Sequence, residues 1–127
     1  MRNIFIILLI VILPFQYACK EKLVSYSDSG TIVHLKVDQI LKVELPGNTS
    51  TGNDWRKVAY DDNVIIKKGK PNYMLADDRI GSAGVYYFKF RAIAPGVTKL
   101  YMEYGSKYDD EKEPLKIFEL EVVVVGG

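Results

Sequence analysis

An all-β, antiparallel sandwich is the fold this sequence predicts, on three observations. After Lys20 the apolar residues recur with period two rather than 3.6. The runs that carry this period are rich in β-branched and aromatic residues, as half-buried strands are. Short and long connections alternate between them.

Each run follows the same logic. Val33, Leu35 and Val37 alternate with His34 and Lys36, and Leu41, Val43 and Leu45 with Lys42 and Glu44. Trp55 opens a strand after the first long connection, where a tryptophan is expected in the core. Phe88, Phe90 and Ala92 alternate with Lys89 and Arg91; Leu100, Met102 and Tyr104 with Tyr101 and Glu103. Phe118, Leu120, Val122 and Val124 close the series, with Glu119 and Glu121 between them. No stretch carries a helical stripe, an internal repeat or an interdomain linker.

Asp38-Gln39, Asp61-Asp62-Asn63 and Pro95-Gly96 are the tight links. Pro95 presets φ for a turn, and Gly96 is expected to supply the positive φ of a type II turn. Between them lie three long links: Pro46 to Asp54, Gly69 to Gly84, and Gly105 to Glu113. If successive strands reverse direction, every second connection emerges at the same end. The three long loops are therefore expected to gather there, on a rigid scaffold of the kind that carries binding residues. The stretch Pro71 to Ala76, which could form a short extra strand, tests this parity, because one extra reversal there breaks it and two preserve it.

The first nineteen residues differ from the rest. Arg2 precedes an unbroken apolar run from Ile4 to Leu13, which Pro14 ends. This is the layout of a secretory signal, shorter than the roughly 20 residues of a membrane-spanning helix. An uncleaved anchor is the alternative. Residues 1–19 are thus expected to be an export signal and residues 20–127 one extracytoplasmic domain: secreted, periplasmic or lipid-anchored. Cys19, the sole cysteine, follows Ala18 where a lipoprotein signal places its acylated residue, although Gln16 and Tyr17 depart from that pattern. Two readings of Cys19 stand: a lipid anchor, the domain's one route to a membrane, or a plain thiol near a cleavage site.

Charge excludes some partners. The 17 Lys and Arg nearly cancel the 16 Asp and Glu, so neither a nucleic-acid-binding basic face nor a polyanion mimic is indicated. Catalysis is poorly supported. His34, the only histidine, lies mid-strand without a cysteine partner in the domain, and no nucleophile has a base and an orienting group. The acid pairs Asp61-Asp62, Asp77-Asp78 and Asp109-Asp110 lack the spacing of a calcium loop and read as solvated turns. No phosphate-binding glycine motif is present. Neither a cofactor nor a metal is expected.

The informative stretch is Asn48-Thr49-Ser50-Thr51-Gly52-Asn53-Asp54-Trp55. Small hydroxyl residues before a glycine form a loop whose backbone can press closely on a partner, since Gly52 lacks a Cβ and permits positive φ. Taken alone, it is also an ordinary hairpin loop. Its pattern resembles the Asn-Pro-Thr-Thr-Gly-aromatic-x-Trp loop of the chagasin family of cysteine-protease inhibitors. Asn48, Thr51, Gly52 and Trp55 match, Ser50 is a mild change, Thr49 replaces the proline, and Asn53 stands where an aromatic is usual. A second family element, Gly-x-Gly-Gly, resembles Gly81-Ser82-Ala83-Gly84, with Ala83 the departure. The third, an Arg-Pro-aromatic tip, is replaced by Gly105-Ser106-Lys107-Tyr108. Tyr87 to Ala92 and Gly96 to Leu100 look like the family's strand pair, and the resemblance covers most of the domain.

The resemblance implies an immunoglobulin-like sandwich of about seven to eight strands that inhibits papain-like cysteine proteases. It also implies a protease contact set: Asn48 to Asn53 on the first loop, Gly81 to Gly84 on the second, and Lys107 and Tyr108 on the third. Trp55 would support the first loop from below. The partner is then a protease, the inhibitor a monomer with no enzymatic activity of its own. The departures leave a second reading, a non-inhibitory extracytoplasmic binding module that keeps only the scaffold.

Overall fold

A computed structural model describes residues 21–75 and 83–126 of the chain. Among these residues nine strands form: β1 (Lys22–Ser25), β2 (Ile32–Lys36), β3 (Ile40–Gly47), β4 (Asn53–Ala59), β5 (Ile65–Lys67), β6 (Asn72–Leu75), β7 (Gly84–Ala92), β8 (Gly96–Ser106) and β9 (Lys116–Val125). One sheet runs β1–β3–β7 and ends on an edge shared by β5 and β6; the other runs β2–β9–β8–β4. The signal and the cysteine expected within residues 1–19 lie outside the described residues.

The period-two reading holds in the runs that carried it, except that Val37 is only half-buried and Glu103, an outward position, is buried. Leu41, Val43, Leu45, Phe88 and Phe90 of the first sheet pack with Leu100, Met102, Phe118, Leu120 and Val122 of the second in a single buried cluster. Burying such side chains contributes on the order of 1.5–3 kcal/mol each before chain entropy is counted. His34, between Val33 and Leu35, is exposed.

Three features depart from expectation. The centre of each sheet is antiparallel, but β1 pairs with β3, and β2 with β9, in parallel. Nine strands appear instead of about seven or eight because β1, β5 and β6 are only three or four residues long, too short to show a period, although β6 falls within Pro71 to Ala76, the stretch open to an extra strand. Gly96 has φ 156°, far from the type II turn value, and opens β8 instead.

Parity survives the extra strand. β5 pairs with β7 from Ile65↔Ala92 to Lys67↔Phe90, and β6 from Asn72↔Tyr87 to Leu75↔Gly84. Both run antiparallel to β7 along the side that β3 leaves free. They are one edge strand interrupted at residues 68–71, with no reversal between them. The second long connection is accordingly shorter than Gly69 to Gly84.

All three long connections leave from one pole. The end of β3 meets the start of β7 at Gly47↔Gly84, the start of β4 meets the end of β8 at Asn53↔Ser106, and Lys116 opens β9 opposite Tyr104. The short links close the other pole, where the Asp38 N–H donates to the Ala92 carbonyl at 2.7 Å and the Ile93 N–H to that of Val64 at 2.9 Å.

Candidate functional site

The first loop crosses from one sheet to the other in five residues, Asn48 to Gly52. Asn48 caps a single 3-10 turn over Thr49–Thr51: its Oδ1 accepts from the Ser50 N–H at 3.0 Å and from the Ser50 hydroxyl at 2.6 Å. Short polar side chains favour such caps because they satisfy amides that a helix start leaves unpaired. The Thr51 hydroxyl donates to the Asn48 carbonyl at 2.8 Å, and the Asn53 amide reaches the Thr51 hydroxyl at 3.1 Å. Gly52 then turns the chain at φ 78°, ψ 10°, a left-handed conformation that costs other residues roughly 1 kcal/mol or more. Thr49, Ser50 and Thr51 are exposed at the crest, while Gly52 and Asn53 are half-buried.

An aromatic floor holds this crest. Trp55 is 6% exposed, packs on Tyr104 with ring centroids 5.2 Å apart, and donates its indole N–H to the Pro46 carbonyl at 2.8 Å. The Tyr104 hydroxyl accepts from the Asn48 N–H at 2.9 Å. Tyr73 packs at a tilt against Tyr86, with ring centroids 4.7 Å apart, and donates to the Gly47 carbonyl at 3.3 Å. Burial, and then the hydrogen bond to Asp54, push the Tyr86 hydroxyl well above the usual phenol range. Each ring contributes an apolar body to the core and a polar tip to the loop's base, the division of labour buried tyrosines favour.

The second loop is described only at its end. Gly81 and Ser82 lie outside the described residues. Ala83 is exposed, and Gly84 is buried at the start of β7. A Cβ on Gly84 would stand 2.5 Å from the Met74 carbonyl oxygen and 2.6 Å from the Tyr73 ring, so glycine is required there by close packing.

The third loop leans on the first. The Lys107 N–H donates to the Gly52 carbonyl at 3.1 Å. Tyr108 is 82% exposed, with its ring 3.3 Å from where a Gly52 Cβ would be. Lys107 extends beside it, with Nζ 5.8 Å from the ring centroid. A cation, an aromatic ring and the threonine-glycine crest thus meet at one place. Behind them Arg56 of β4 reaches three backbone carbonyls of the loop.

Sequence reasoning placed Asn48 to Asn53, Trp55, Lys107 and Tyr108 at one pole, and the structure puts them there. It missed the floor tyrosines Tyr73, Tyr86 and Tyr104, and Arg56. The signal for the tyrosines was present: tyrosine, not phenylalanine, occupies inward positions at the strand ends nearest the loops.

The model of the family described as Chagasin family peptidase inhibitor I42 matches residues 34–122. Among solved structures, the crystal structure of the cysteine protease inhibitor EhICP2 from Entamoeba histolytica superposes with a TM-score of 0.74 at 18% identity, covering 83% of this chain and 96% of that one. The solution structure of Amebosin gives a TM-score of 0.66 at 20% identity over 84% of this chain and 99% of that one. At such identities the likeness speaks to the fold alone. None of the curated proteins matches the sequence.

Proposed function

The chain belongs to the chagasin family of peptidase inhibitors, and we propose that it blocks papain-like cysteine proteases by seating its loop pole in their active-site cleft. The observation that carries this is the crest, with Thr51 exposed at the pole beside half-buried Gly52, tied to rigid strands by the Asn48 cap and the aromatic floor. Thr51 and Gly52 lie over the catalytic cysteine and present no scissile bond in register. Ala83 and the loop segment before it line one wall of the cleft, and Lys107 with Tyr108 the other.

A loop already held in its bound shape loses little entropy on docking, which favours tight, reversible binding. An interface of about 1,600 Å² is the scale expected of such a complex. The inhibitor acts as a monomer, needs no cofactor and performs no catalysis. It works outside the cytoplasm, after export directed by residues 1–19, with Cys19 as the point of lipid attachment. The mass of the mature amino terminus tests that assignment: an unmodified cysteine at the start, or an uncleaved chain, removes the lipid anchor.

Titration of papain with the purified domain tests the inhibition. Stoichiometric loss of activity is expected, and full activity at micromolar domain overturns the reading in favour of a binding module. Gly52→Val places a branched side chain against Tyr108 at a left-handed position and should weaken inhibition at least a hundredfold with the fold intact. Equal potency removes the crest from the mechanism.

A further inference from the structure

Arg56 follows Trp55 on β4 but points the other way, onto the outer face of its sheet, where an arginine is ordinarily solvated. Its side chain is nevertheless only 9% exposed. The guanidinium lies against Gly105 so closely that a Cβ there would come within 2.9 Å of Cζ. From this seat Nη1 donates to the carbonyls of Ser106 and Asp109, each at 2.9 Å, and Nη2 donates to the carbonyl of Lys112. Glu103, opposite on β8, stands 3.5 Å from Nη2 and accepts from the Tyr101 hydroxyl at 2.7 Å.

The loop is shaped to meet the fork. The Ser106 hydroxyl oxygen accepts from the Tyr108 and Asp109 amides at 3.2 Å, and the Lys112 amide returns to the Asp109 carbonyl at 3.2 Å. These turns aim the carbonyls of residues 106, 109 and 112 at a single centre. Immediately after Arg56 the β4–β8 register slips, with Lys57 bulged at φ 56°. Bulges beside functional sites re-aim neighbouring side chains.

Stability alone is a weak reason for this arrangement. Burying a cation is costly even when it is paired, and the Nε–H of Arg56 is buried without an acceptor among the described residues. What the arrangement secures is shape: a planar fork binding several acceptors at once fixes their geometry as a flexible ammonium cannot.

We propose that Arg56 is a positioning residue of the inhibitory pole, holding residues 106–112 in the one conformation that sets Lys107 and Tyr108 beside Gly52. The inference rests on the protease-inhibitor reading above, and adds to it a residue that need not touch the protease. Its loss leaves Lys107 and Tyr108 in place chemically but frees them conformationally, so each docking event must order them again.

The test compares Arg56→Gln and Arg56→Lys with the full domain, by papain inhibition kinetics and by amide hydrogen exchange. Arg56→Gln should inhibit about tenfold to thirtyfold more weakly, chiefly through faster dissociation. Exchange at Tyr108, Asp109 and Lys112 should quicken while that at Ser50 and Thr51 does not. Lysine keeps the charge facing Glu103 and cannot span three carbonyls, so Arg56→Lys should not restore potency. Rescue by lysine overturns the fork and leaves simple charge compensation. Tyr108→Ala added to Arg56→Gln should cost little more than Arg56→Gln alone, whereas fully additive losses overturn the claim that Arg56 acts through the loop. If wild-type domain leaves papain active, the inhibitory reading falls by itself; the exchange rates of 106–112 still decide whether Arg56 orders the loop, and unchanged rates overturn that.

Discussion

The first and third loops meet at one pole, joined by the hydrogen bond from the Lys107 amide to the Gly52 carbonyl, but opposite chemistries hold them. Asn48 to Gly52 rest on aromatic rings whose bodies belong to the core and whose hydroxyl and indole groups grip the loop's base. Residues 106–112 wrap instead around a single cation on the outside of the sheet, and Asp109 to Lys112 are exposed. The first loop therefore shares its support with the fold. The third has a support of its own, separable from the core. A binding edge assembled this way can vary one flank without endangering its centre.

Trp55→Ala is the severest way to break that contrast. It removes the floor's largest ring and should lower unfolding free energy by about 3–5 kcal/mol, measured by denaturant titration. Amides of Ser50 and Thr51 should lose exchange protection while those of residues 108–112 keep theirs. Equal loosening of both loops would show that they share one support.

Tyr104→Phe sharpens the contrast at smaller scale. The ring stays, and the Asn48 amide loses its hydroxyl acceptor, at a cost of about 1 kcal/mol. Weaker papain inhibition, with a thermal midpoint lowered by about 4–8 °C, is the expected result. An unchanged inhibition constant would mean the crest does not depend on that bond.

The smallest effect at neutral pH belongs to Tyr86→Phe, and in alkali it shrinks and then reverses in sign. Burial and Asp54 raise the Tyr86 hydroxyl pKa in the folded chain. The folded state therefore keeps this proton more tightly than the unfolded state does. The associated stability is intact below the ordinary phenol value of about 10 and is lost as pH rises past it. Wild-type domain should destabilise more steeply above about pH 10 than Tyr86→Phe in chemical denaturation. Parallel profiles would remove the tyrosine from the floor's energetics.

Period and punctuation made much of this legible. Alternation in Leu41 to Leu45 and Phe118 to Val124 marks buried faces whatever their partners, and link lengths alone placed three loops at one pole. Of the edge formed by β5 and β6, only the option of an extra strand within Pro71 to Ala76 was legible, because three and four residues cannot display a period and Gly69 with Pro71 reads as loop. Arg56 was illegible for a different reason. Its acceptors are carbonyls 50 to 56 positions away, and every residue offers a carbonyl, so no side-chain pattern announces the pairing. The tyrosine hydroxyls fall between these cases: ring burial follows from alternation, but the bonds depend on where the loop returns.

β1 runs parallel to β3 from Lys22, opposite Leu41, and β9 ends at Val125, opposite Lys36. Both positions lie at the short-turn pole. Whatever is joined ahead of Lys22 or beyond Val125, whether acyl chain, purification handle or sensor surface, grips the molecule by its blunt base and leaves the crest facing outward. Tethering is therefore compatible with capture, and a surface coated through either terminus would display the crest to passing proteases.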